Sequence, residues 1–333
     1  MLSRLFSHSL KMKNSPMDPS GRISDNEDGI VHVSTRHLIG LHHAAQSLKL
    51  EPSRIRANQS GGYLSPFKGR GMEFDEVRPY QQGDDVRTID WRVTARTGHP
   101  HTKLFREERE RSVLLWVDLR QSMFFATQGA YKSVRAAQAA ALLGWSANHH
   151  GDRLGGLLFT ETDHHELRPK SGKPPLLHLL NQLAEHASPD IRLQQHINDT
   201  QSAGAVQESL ARLRRVSSPG SLIFLISDFS HLDSTGLAHL AQLARHNDLV
   251  ILYIFDPMEA ELPPPGQYQI SDGENTLTLD SSSHDLRNDY QQRFKQHQAQ
   301  LQQLAHRPGI FMIPLCTEQD PVVALQQHFG KRA

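Results

Sequence analysis

The feature that most constrains the fold is a series of short, wholly apolar segments that alternate with amphipathic ones over residues 112–330. Three apolar runs, at 113–117, 222–226 and 249–255, have the length of a strand. Continuous apolar strands are typical of a parallel sheet that is covered on both faces. The segments between them carry apolar residues at helical spacing. The alternation therefore predicts an α/β fold, a doubly wound and mostly parallel sheet with helices on both faces.

The same periodicities predict the other elements and three regions of the chain. Helices are expected at 35–50, 131–150, 175–187, 205–216, 235–246, 286–304 and 321–329, and further strands at 154–159, 165–168 and 310–315. Period-two alternation over 267–279 around Asp272-Gly273 predicts a hairpin. Residues 1–33 are predicted to be a disordered tail, 34–111 a helix followed by a smaller β-rich segment, and 112–330 the sheet domain.

Composition excludes several classes of protein. The 333 residues carry 36 Lys plus Arg and 36 Asp plus Glu, so the formal net charge is zero. A balanced charge argues against whole-protein attraction to nucleic acid or to an anionic membrane. The single cysteine, Cys316, excludes an internal disulfide and any CxxC motif. Because no apolar run approaches the ~20 residues of a membrane span and no signal-peptide pattern is present, we expect a soluble, cytoplasmic protein.

Two of the predicted strands end in a carboxylate. Asp118 follows the run 113–117, and Ser227-Asp228 follows the run 222–226. In doubly wound sheets, ligands bind beyond the carboxyl ends of the strands. Carboxylate and hydroxyl oxygens at that edge are what a hard cation such as Mg²⁺ requires. The alternative is that both aspartates only cap the turns and helices that follow them.

The spacing of these residues resembles a von Willebrand factor A domain. That family places a metal-ion-dependent adhesion site at this edge, written Asp-x-Ser-x-Ser with a later Thr and Asp. The resemblance implies that Asp118, Ser122 and Asp228 would ligate a divalent cation such as Mg²⁺. Arg120 stands at the position of the first serine, however, and a guanidinium cannot ligate a cation. We hypothesise that Arg120 replaces the metal by pairing with the carboxylates; the alternative is that it points into solvent.

A second resemblance covers residues 69 to about 160. Its blocks include Gly69–Phe74, Arg78-Pro79-Tyr80 and Gly151-Asp152-Arg153, with the central signature at Gly83, Asp84, Asp85, Arg87, Asp90, Trp91 and Arg96. These blocks are similar to the bacterial "domain of unknown function 58" family. The resemblance implies a von Willebrand factor A-like domain after a β-rich segment. It also implies an association with MoxR-type AAA+ ATPases, and it implies no enzymatic activity.

The charged signature between Arg78 and Arg96 admits three interpretations. Buried charges must be paired, so ion pairs between the β-rich segment and the sheet domain would explain it. A binding surface would explain it equally well. A catalytic or metal-nuclease site is the third interpretation, although no accompanying motif supports it.

Two hypotheses for function follow. The leading one is a non-enzymatic protein-binding adaptor that works with a MoxR-type AAA+ ATPase through the adhesion-site-like edge. In it, Met123, Phe124 and Phe125 would anchor the partner, unless these side chains belong to the core. The alternative is a divalent-metal-dependent hydrolase that uses the same carboxylates. The sequence lacks GxxxxGK[ST], GxSxG and HExxH, which argues against the hydrolase.

Overall fold

The computed structural model describes residues 28–50, 73–81, 84, 86–106, 111–188, 199–271 and 276–330. The predicted turn at Asp272-Gly273, the signature residues Gly83 and Asp85, and residues 1–27 of the predicted tail lie outside this part of the chain. The chain divides into two compact units. The small unit is Leu64–Glu110, and the sheet unit is formed by Met1–Tyr63 and Arg111–Ala333.

The helices and strands have the following bounds. The strands are β1 (Glu73–Pro79), β2 (His101–Arg106), β3 (Ser112–Asp118), β4 (Arg153–Phe159), β5 (His164–Lys170), β6 (Leu222–Ser227), β7 (Asp248–Phe255), β8 (Gln267–Ser271), β9 (Thr276–Asp280) and β10 (Ile310–Cys316). The helices are α1 (Thr35–Gly40), α2 (His42–Ala45), α3 (Trp91–Thr97), α4 (Lys132–His149), α5 (Lys173–His186), α6 (Asp199–Val216), α7 (Ser234–Leu243), α8 (Pro257–Ala260), α9 (His284–Ala305) and α10 (Pro321–Phe329).

The sheet unit is built on a six-stranded sheet in the order β10-β7-β6-β3-β4-β5. All neighbours are parallel except β5, which runs antiparallel to β4 at one edge. The predicted mixed α/β class with a mostly parallel sheet is confirmed. Because β3 and β6 are parallel neighbours, with Val117 opposite Ile226, their carboxyl ends meet at the same edge. The predicted pair 267–279 forms the separate hairpin β8-β9.

Helices cover both faces of this sheet, and alternate residues of each strand enter different cores. In β3, Leu115 and Val117 pack on the face covered by α4, α5 and α10. Leu114 and Trp116 pack on the opposite face, against α6, α7 and α9. Continuous apolar strands are required because neither face is exposed to water.

Helix α4 is the central helix of its face, and almost every residue from 132 to 147 is buried. Its alanine-rich sequence allows neighbouring elements to approach closely. At Gly144, a Cβ atom would lie 2.9 Å from a methyl carbon of Leu176 on α5. The first residue of this buried helix is a lysine, Lys132, whose exposure is only 1%.

Residues 28–50 pack into the core of the sheet unit. Leu38, Ala45 and Leu48 are fully buried in the α4 side of the core. Trp145 donates from Nε1 to the Leu38 carbonyl oxygen at 3.1 Å, and Ser146 Oγ donates to that of Leu48 at 3.0 Å. The structure thus differs from the predicted division, which grouped this helical segment with the β-rich region that follows it. The segment supplies the apolar cover that α4 needs.

The small unit contains an antiparallel β-ribbon and a short helix. Strands β1 and β2 pair with an irregularity between Phe74 and Glu76. Helix α3 follows Asp90, whose side chain accepts from the N–H groups of Arg92 and Val93, and it ends at Gly98 in the left-handed conformation (φ 76°).

No helix in the described ranges is long and apolar enough to cross a membrane.

Candidate functional site

Three carboxylates stand where parallel strands end, at one edge of the sheet. Asp118 closes β3, Asp228 follows β6, and Asp256 follows β7. Their exposures are 0%, 7% and 0%. Because burying an isolated carboxylate is costly, each needs a close partner. We call the side chains that gather around Asp118 and Asp228 the rim cluster; it comprises Asp118, Arg120, Lys132, Asp228 and Glu259.

Arg120 pairs with Asp118 two residues before it. Its Nε lies 2.9 Å from Asp118 Oδ1 and its Nη2 lies 2.6 Å from Oδ2, a bidentate arrangement. The same Nη2 lies 3.5 Å from Asp228 Oδ1. The guanidinium is fully buried and also donates to the Ser230 carbonyl oxygen at 3.2 Å. The solvent-facing alternative for Arg120 is therefore wrong, and one guanidinium lies against both aspartates.

Lys132 is a second buried cation of the cluster. It comes from the first turn of α4, and its Nζ lies 3.0 Å from Asp228 Oδ2 and 2.6 Å from Glu259 Oε1. The Nζ also lies 5.9 Å from the centre of the Phe125 ring. Lys132 therefore ties the start of α4 to the ends of β6 and β7.

Asp256 has a structural role beside the cluster. Its carboxylate accepts from Thr127 Oγ1 at 2.6 Å, Thr317 Oγ1 at 2.8 Å and the Met258 N–H at 2.9 Å. Its own N–H donates to Glu259 Oε2 at 2.8 Å, which completes a capping box at the start of α8. This box leaves the other oxygen of Glu259 for Lys132.

The loop after β6 holds an unusual backbone conformation. Phe229 and His231 have φ values of 54° and 63°, in the left-handed region that non-glycine residues rarely adopt. Ser227 Oγ donates to Asp118 Oδ2 at 2.6 Å and accepts from the Phe229 N–H at 2.8 Å. The Ser230 N–H donates to Asp228 Oδ1 at 2.9 Å. Hydrogen bonds to the rim cluster therefore maintain this strained loop.

The electrostatics of the cluster favour the ionised pair of Lys132 and Asp228. Burial alone would raise the pKa of Asp228, but the charges of Lys132 and Arg120 outweigh it and hold that pKa well below its usual range. Burial would lower the pKa of Lys132, but Asp228 and Glu259 raise it above its ordinary value. For Glu259 burial prevails over the attraction of Lys132, so its pKa is raised.

Glu161, at the turn after β4, lies at the border of the cluster. Its Oε1 accepts from the Gln121 N–H at 2.7 Å. Burial raises the pKa of Glu161 above its ordinary value, and this hydrogen bond and the charge of Arg120 only partly offset the effect. Glu161 therefore adds a further carboxyl group near Arg120.

The residues present do not fit a divalent cation. Both oxygens of Asp118 accept hydrogen bonds from Arg120, and those of Asp228 face Ser230 and Lys132. Ser122 Oγ lies 3.4 Å from Ser230 Oγ. In the described part of the chain, no three His, Cys, Asp or Glu side chains are grouped so as to hold a metal ion. A metal would have to displace a cation that is already hydrogen-bonded in place.

The predicted partner anchors Met123, Phe124 and Phe125 are core residues, so that prediction is wrong. Their exposures are 0%, 1% and 4%. The short helical turn that contains Met123 directs these side chains inward, and the Phe125 ring covers the ammonium of Lys132. The two aromatic residues just after β3 therefore belong to the core and do not form a docking surface.

The signature residues of the small unit have different roles. Asp84 lies 2.7 Å from Arg78, in an ion pair whose side chains are 20% and 30% exposed. Hydrogen bonding from the Gln81 N–H and the Arg78 side chain lowers the pKa of Asp84. Asp90 caps α3, Trp91 is 71% exposed and Arg96 is exposed. The side chain of Arg87 lies outside the described residues, as do Gly83 and Asp85.

Sequence reasoning missed Lys132 and Glu259. Lys132 lies in the first turn of α4 and Glu259 in the first turn of α8. They are 14 and 141 residues from Asp118 in the sequence. A lysine at the start of a helix is unfavourable for the helix dipole, and that is the signal that could have identified Lys132. Glu259 could have been found from Asp256-Pro257-Met258-Glu259, which has the spacing of a capping box.

Comparisons with known proteins identify relatives without an assigned role. The model of the family described as "Protein of unknown function DUF58" matches residues 76–300. Uncharacterized proteins of Mycobacterium bovis and Mycobacterium tuberculosis are each 28% identical over 263 residues, 78% of this chain and 79% of the relative. Two solved structures each match 66% of this chain and 96% of their own, with TM-scores of 0.40. They are the conserved hypothetical protein BatB from Bacteroides thetaiotaomicron, 17% identical, and an aerotolerance-related membrane protein from Bacteroides fragilis, 15% identical.

Proposed function

The chain belongs to the DUF58 family of proteins of unknown function, and on that premise we propose that it is a non-enzymatic protein-binding adaptor. In this proposal its sheet unit is a von Willebrand factor A-like module that works with a MoxR-type AAA+ ATPase. The carboxylate-bearing edge formed by β3 and β6 supports the A-like assignment, because Asp118 and Asp228 stand where that family carries its adhesion site.

The observation that carries the proposal is the rim cluster itself. Arg120 and Lys132 occupy the space beside the carboxylates and are 0% and 1% exposed. The carboxylates are therefore unavailable as a general base, a nucleophile or a metal-ligand set, as a hydrolase would need. The edge formed by β3 and β6 is held rigid by ion pairs within the chain. Such an edge suits a scaffold that presents surfaces to a partner. Partner binding would then be independent of Mg²⁺ at this edge.

The experiment is a binding assay with the MoxR-type ATPase from the same genome. Full-length chain is titrated into the purified ATPase by sedimentation velocity, with ADP and with a non-hydrolysable ATP analogue. We expect a saturable complex in at least one nucleotide state. No complex in either state would contradict the proposal.

A parallel assay tests the hydrolase alternative. Phosphomonoester, phosphodiester and peptide substrates are incubated with the chain and Mg²⁺, Mn²⁺ or Zn²⁺, beside an Asp228→Asn variant. We expect no turnover by either protein. If the wild type showed metal-dependent turnover and Asp228→Asn abolished it, the hydrolase hypothesis would be favoured over the adaptor hypothesis.

A further inference from the structure

The outer face of α3 in the small unit is a basic, aromatic surface that nothing described covers. Trp91 is 71% exposed, and Arg92, Ala95 and Arg96 are exposed on the same short helix. Val86, five residues before Trp91, is 63% exposed. We call Trp91, Arg92, Ala95 and Arg96 the α3 face. An indole so accessible to water is unusual, because tryptophan is highly buried on average.

The helix that carries this face is firmly held from its inner side. The Asp90 N–H donates to the His101 carbonyl oxygen at 2.8 Å, and the His101 N–H donates to Thr94 Oγ1 at 3.0 Å. Thr88 Oγ1 lies 2.6 Å from Thr102 Oγ1 of β2. The α3 face is therefore presented in a fixed geometry, which lowers the entropy lost when a partner binds.

The two arginines of the face are free to pair with a partner. Neither Arg92 nor Arg96 forms an ion pair within the described residues of the chain. Residues four apart lie on the same side of a helix, so Arg92 and Arg96 share one side of α3, about one turn apart. Trp91 and Ala95 form an adjacent apolar strip at the same spacing.

We propose that the α3 face docks an acidic protein surface that pairs carboxylates with Arg92 and Arg96 and receives the Trp91 indole in an apolar pocket. Tryptophan and arginine are, with tyrosine, the residues enriched among those that dominate binding energy at interfaces. Complementary charge sets the orientation of the partner. The inference that the α3 face binds an acidic protein is independent of the proposed function. The further step that this protein is the ATPase rests on the proposed function.

A nucleic acid fits the face less well than a protein does. Binding to duplex DNA through its backbone depends on neutralising several phosphates with Lys and Arg side chains. The face offers two guanidiniums, and the whole chain has a net charge of zero. Nucleic acid binding is accordingly an outcome that the experiment must distinguish.

The first test uses Trp91 fluorescence and a defined probe. The full-length chain is titrated with a helical peptide of glutamate and leucine, with the same peptide carrying lysine for glutamate, and with single- and double-stranded oligonucleotides. The signal of Trp91 is isolated by subtracting a Trp91→Phe variant, since Trp116 and Trp145 are 1% and 7% exposed. We expect a saturable blue shift with the acidic peptide and none with the lysine peptide.

Variants make this test specific. Arg92→Glu with Arg96→Glu is expected to weaken acidic-peptide binding at least tenfold, whereas Arg168→Glu, whose side chain is 85% exposed on β5, leaves it unchanged. Because the α3 face is exposed, the variants should keep the thermal unfolding midpoint of the wild type. No saturable shift, equal response to both peptides, or tighter binding of an oligonucleotide would each overturn the inference.

The second test separates this inference from the adaptor proposal. Trp91→Ala is expected to weaken the complex with the ATPase about tenfold, with Val323→Ala, an exposed apolar residue of α10, as the control. If the ATPase binds wild type and Trp91→Ala equally, the α3 face is not its docking site and the adaptor proposal stands. If the ATPase fails to bind but the acidic peptide does, the adaptor proposal fails and the acidic docking face stands. Self-association that Trp91→Ala removes would instead make the face a contact between two copies.

Discussion

At the scale of single residues, Arg120 and Lys132 determine what the edge of the sheet can do. Each carboxylate of the rim cluster meets a cation from the same chain at 3.0 Å or less. A buried ion pair gives little net stability, because desolvation offsets the attraction, but removing one partner leaves an uncompensated buried charge. The cluster is therefore sensitive to single substitutions.

Arg120→Ser should convert the edge into a metal site. The substitution removes the guanidinium that contacts both oxygens of Asp118 and restores the Asp-x-Ser-x-Ser pattern with Ser122. We expect no heat when Mg²⁺ or Mn²⁺ is titrated into the wild type by calorimetry, and saturable heat with Arg120→Ser. Adding Asp228→Asn to Arg120→Ser should abolish that heat. Micromolar metal binding by the wild type would show that Arg120 does not replace the cation.

Lys132→Met should destabilise the protein in a manner that depends on pH. Without the ammonium, Glu259 keeps the cost of burial and the repulsion of Asp228 but loses its cation, so its folded-state pKa rises further above the unfolded one. A carboxyl group with a raised folded pKa costs stability as pH rises through the window between the two values. We expect a loss of about 3–5 kcal/mol in the free energy of unfolding at pH 8 and a clearly smaller loss at pH 4.5.

The measurement for Lys132→Met is urea unfolding at both pH values. Lys173→Met, at the exposed start of α5, is the matched control and should change the free energy of unfolding by less than about 0.5 kcal/mol. An equal loss at pH 4.5 and pH 8 would show that Lys132 acts through packing and not through its charge.

At the scale of secondary-structure elements, the position of α4 determines the rim cluster, because the first turn of α4 carries Lys132. The turn before α4 passes Gly129, which has φ 76° and lies close to the loop after β10. A Cβ atom at Gly129 would lie 2.1 Å from the Thr317 carbonyl oxygen, a backbone atom. The start of α4 is thus set by a close backbone approach that only glycine permits.

Gly129→Ala should therefore destabilise the protein more than the same change at Gly151. Gly151, which follows α4, has a similar φ of 75° but nothing within 4 Å of its Cβ position. Both substitutions carry the left-handed strain of about 1 kcal/mol, and Gly129→Ala adds the steric overlap. We expect thermal unfolding to show a loss at least about 1 kcal/mol larger for Gly129→Ala. Equal losses would mean that the turn shifts without cost.

At the scale of the whole molecule, the sheet unit is formed by two stretches of chain separated by the small unit. Leu38 is 0% exposed in the core beneath α4, while its neighbour Ile39 is 39% exposed. The fold of the sheet unit therefore depends on residues that precede its strand β3 by more than 60 positions.

Leu38→Ala should accordingly weaken the whole sheet unit. Truncating a buried leucine to alanine typically costs about 2–5 kcal/mol. Urea unfolding monitored by the fluorescence of the buried Trp116 should show this loss, and Ile39→Ala should show a much smaller one. A Trp116 transition that Leu38→Ala leaves unchanged would mean that residues 28–50 unfold separately from the sheet.

The sequence alone determined the class of fold and the strands that form its centre. Hydrophobic periodicity depends on which residues face water, and that pattern is local, so β3, β6, β7 and α4 could be placed closely from it. The same local reasoning put Asp118 and Asp228 at the carboxyl ends of strands. The anomaly at Arg120 came from the resemblance to a von Willebrand factor A domain, and the resemblance to the DUF58 family came from consecutive signature residues.

Only the tertiary structure decided what surrounds those residues. Lys132 and Glu259 reach Asp228 from helices 96 and 31 residues away in sequence, and no local pattern encodes a distance between such side chains. Burial of an aromatic residue likewise depends on what packs over it: Phe124 and Phe125 lie in the core, whereas Trp91 remains exposed on α3. Charge pairing and exposure are properties of the folded arrangement because the Coulomb interaction and solvent access depend on distance in space and not on position along the chain.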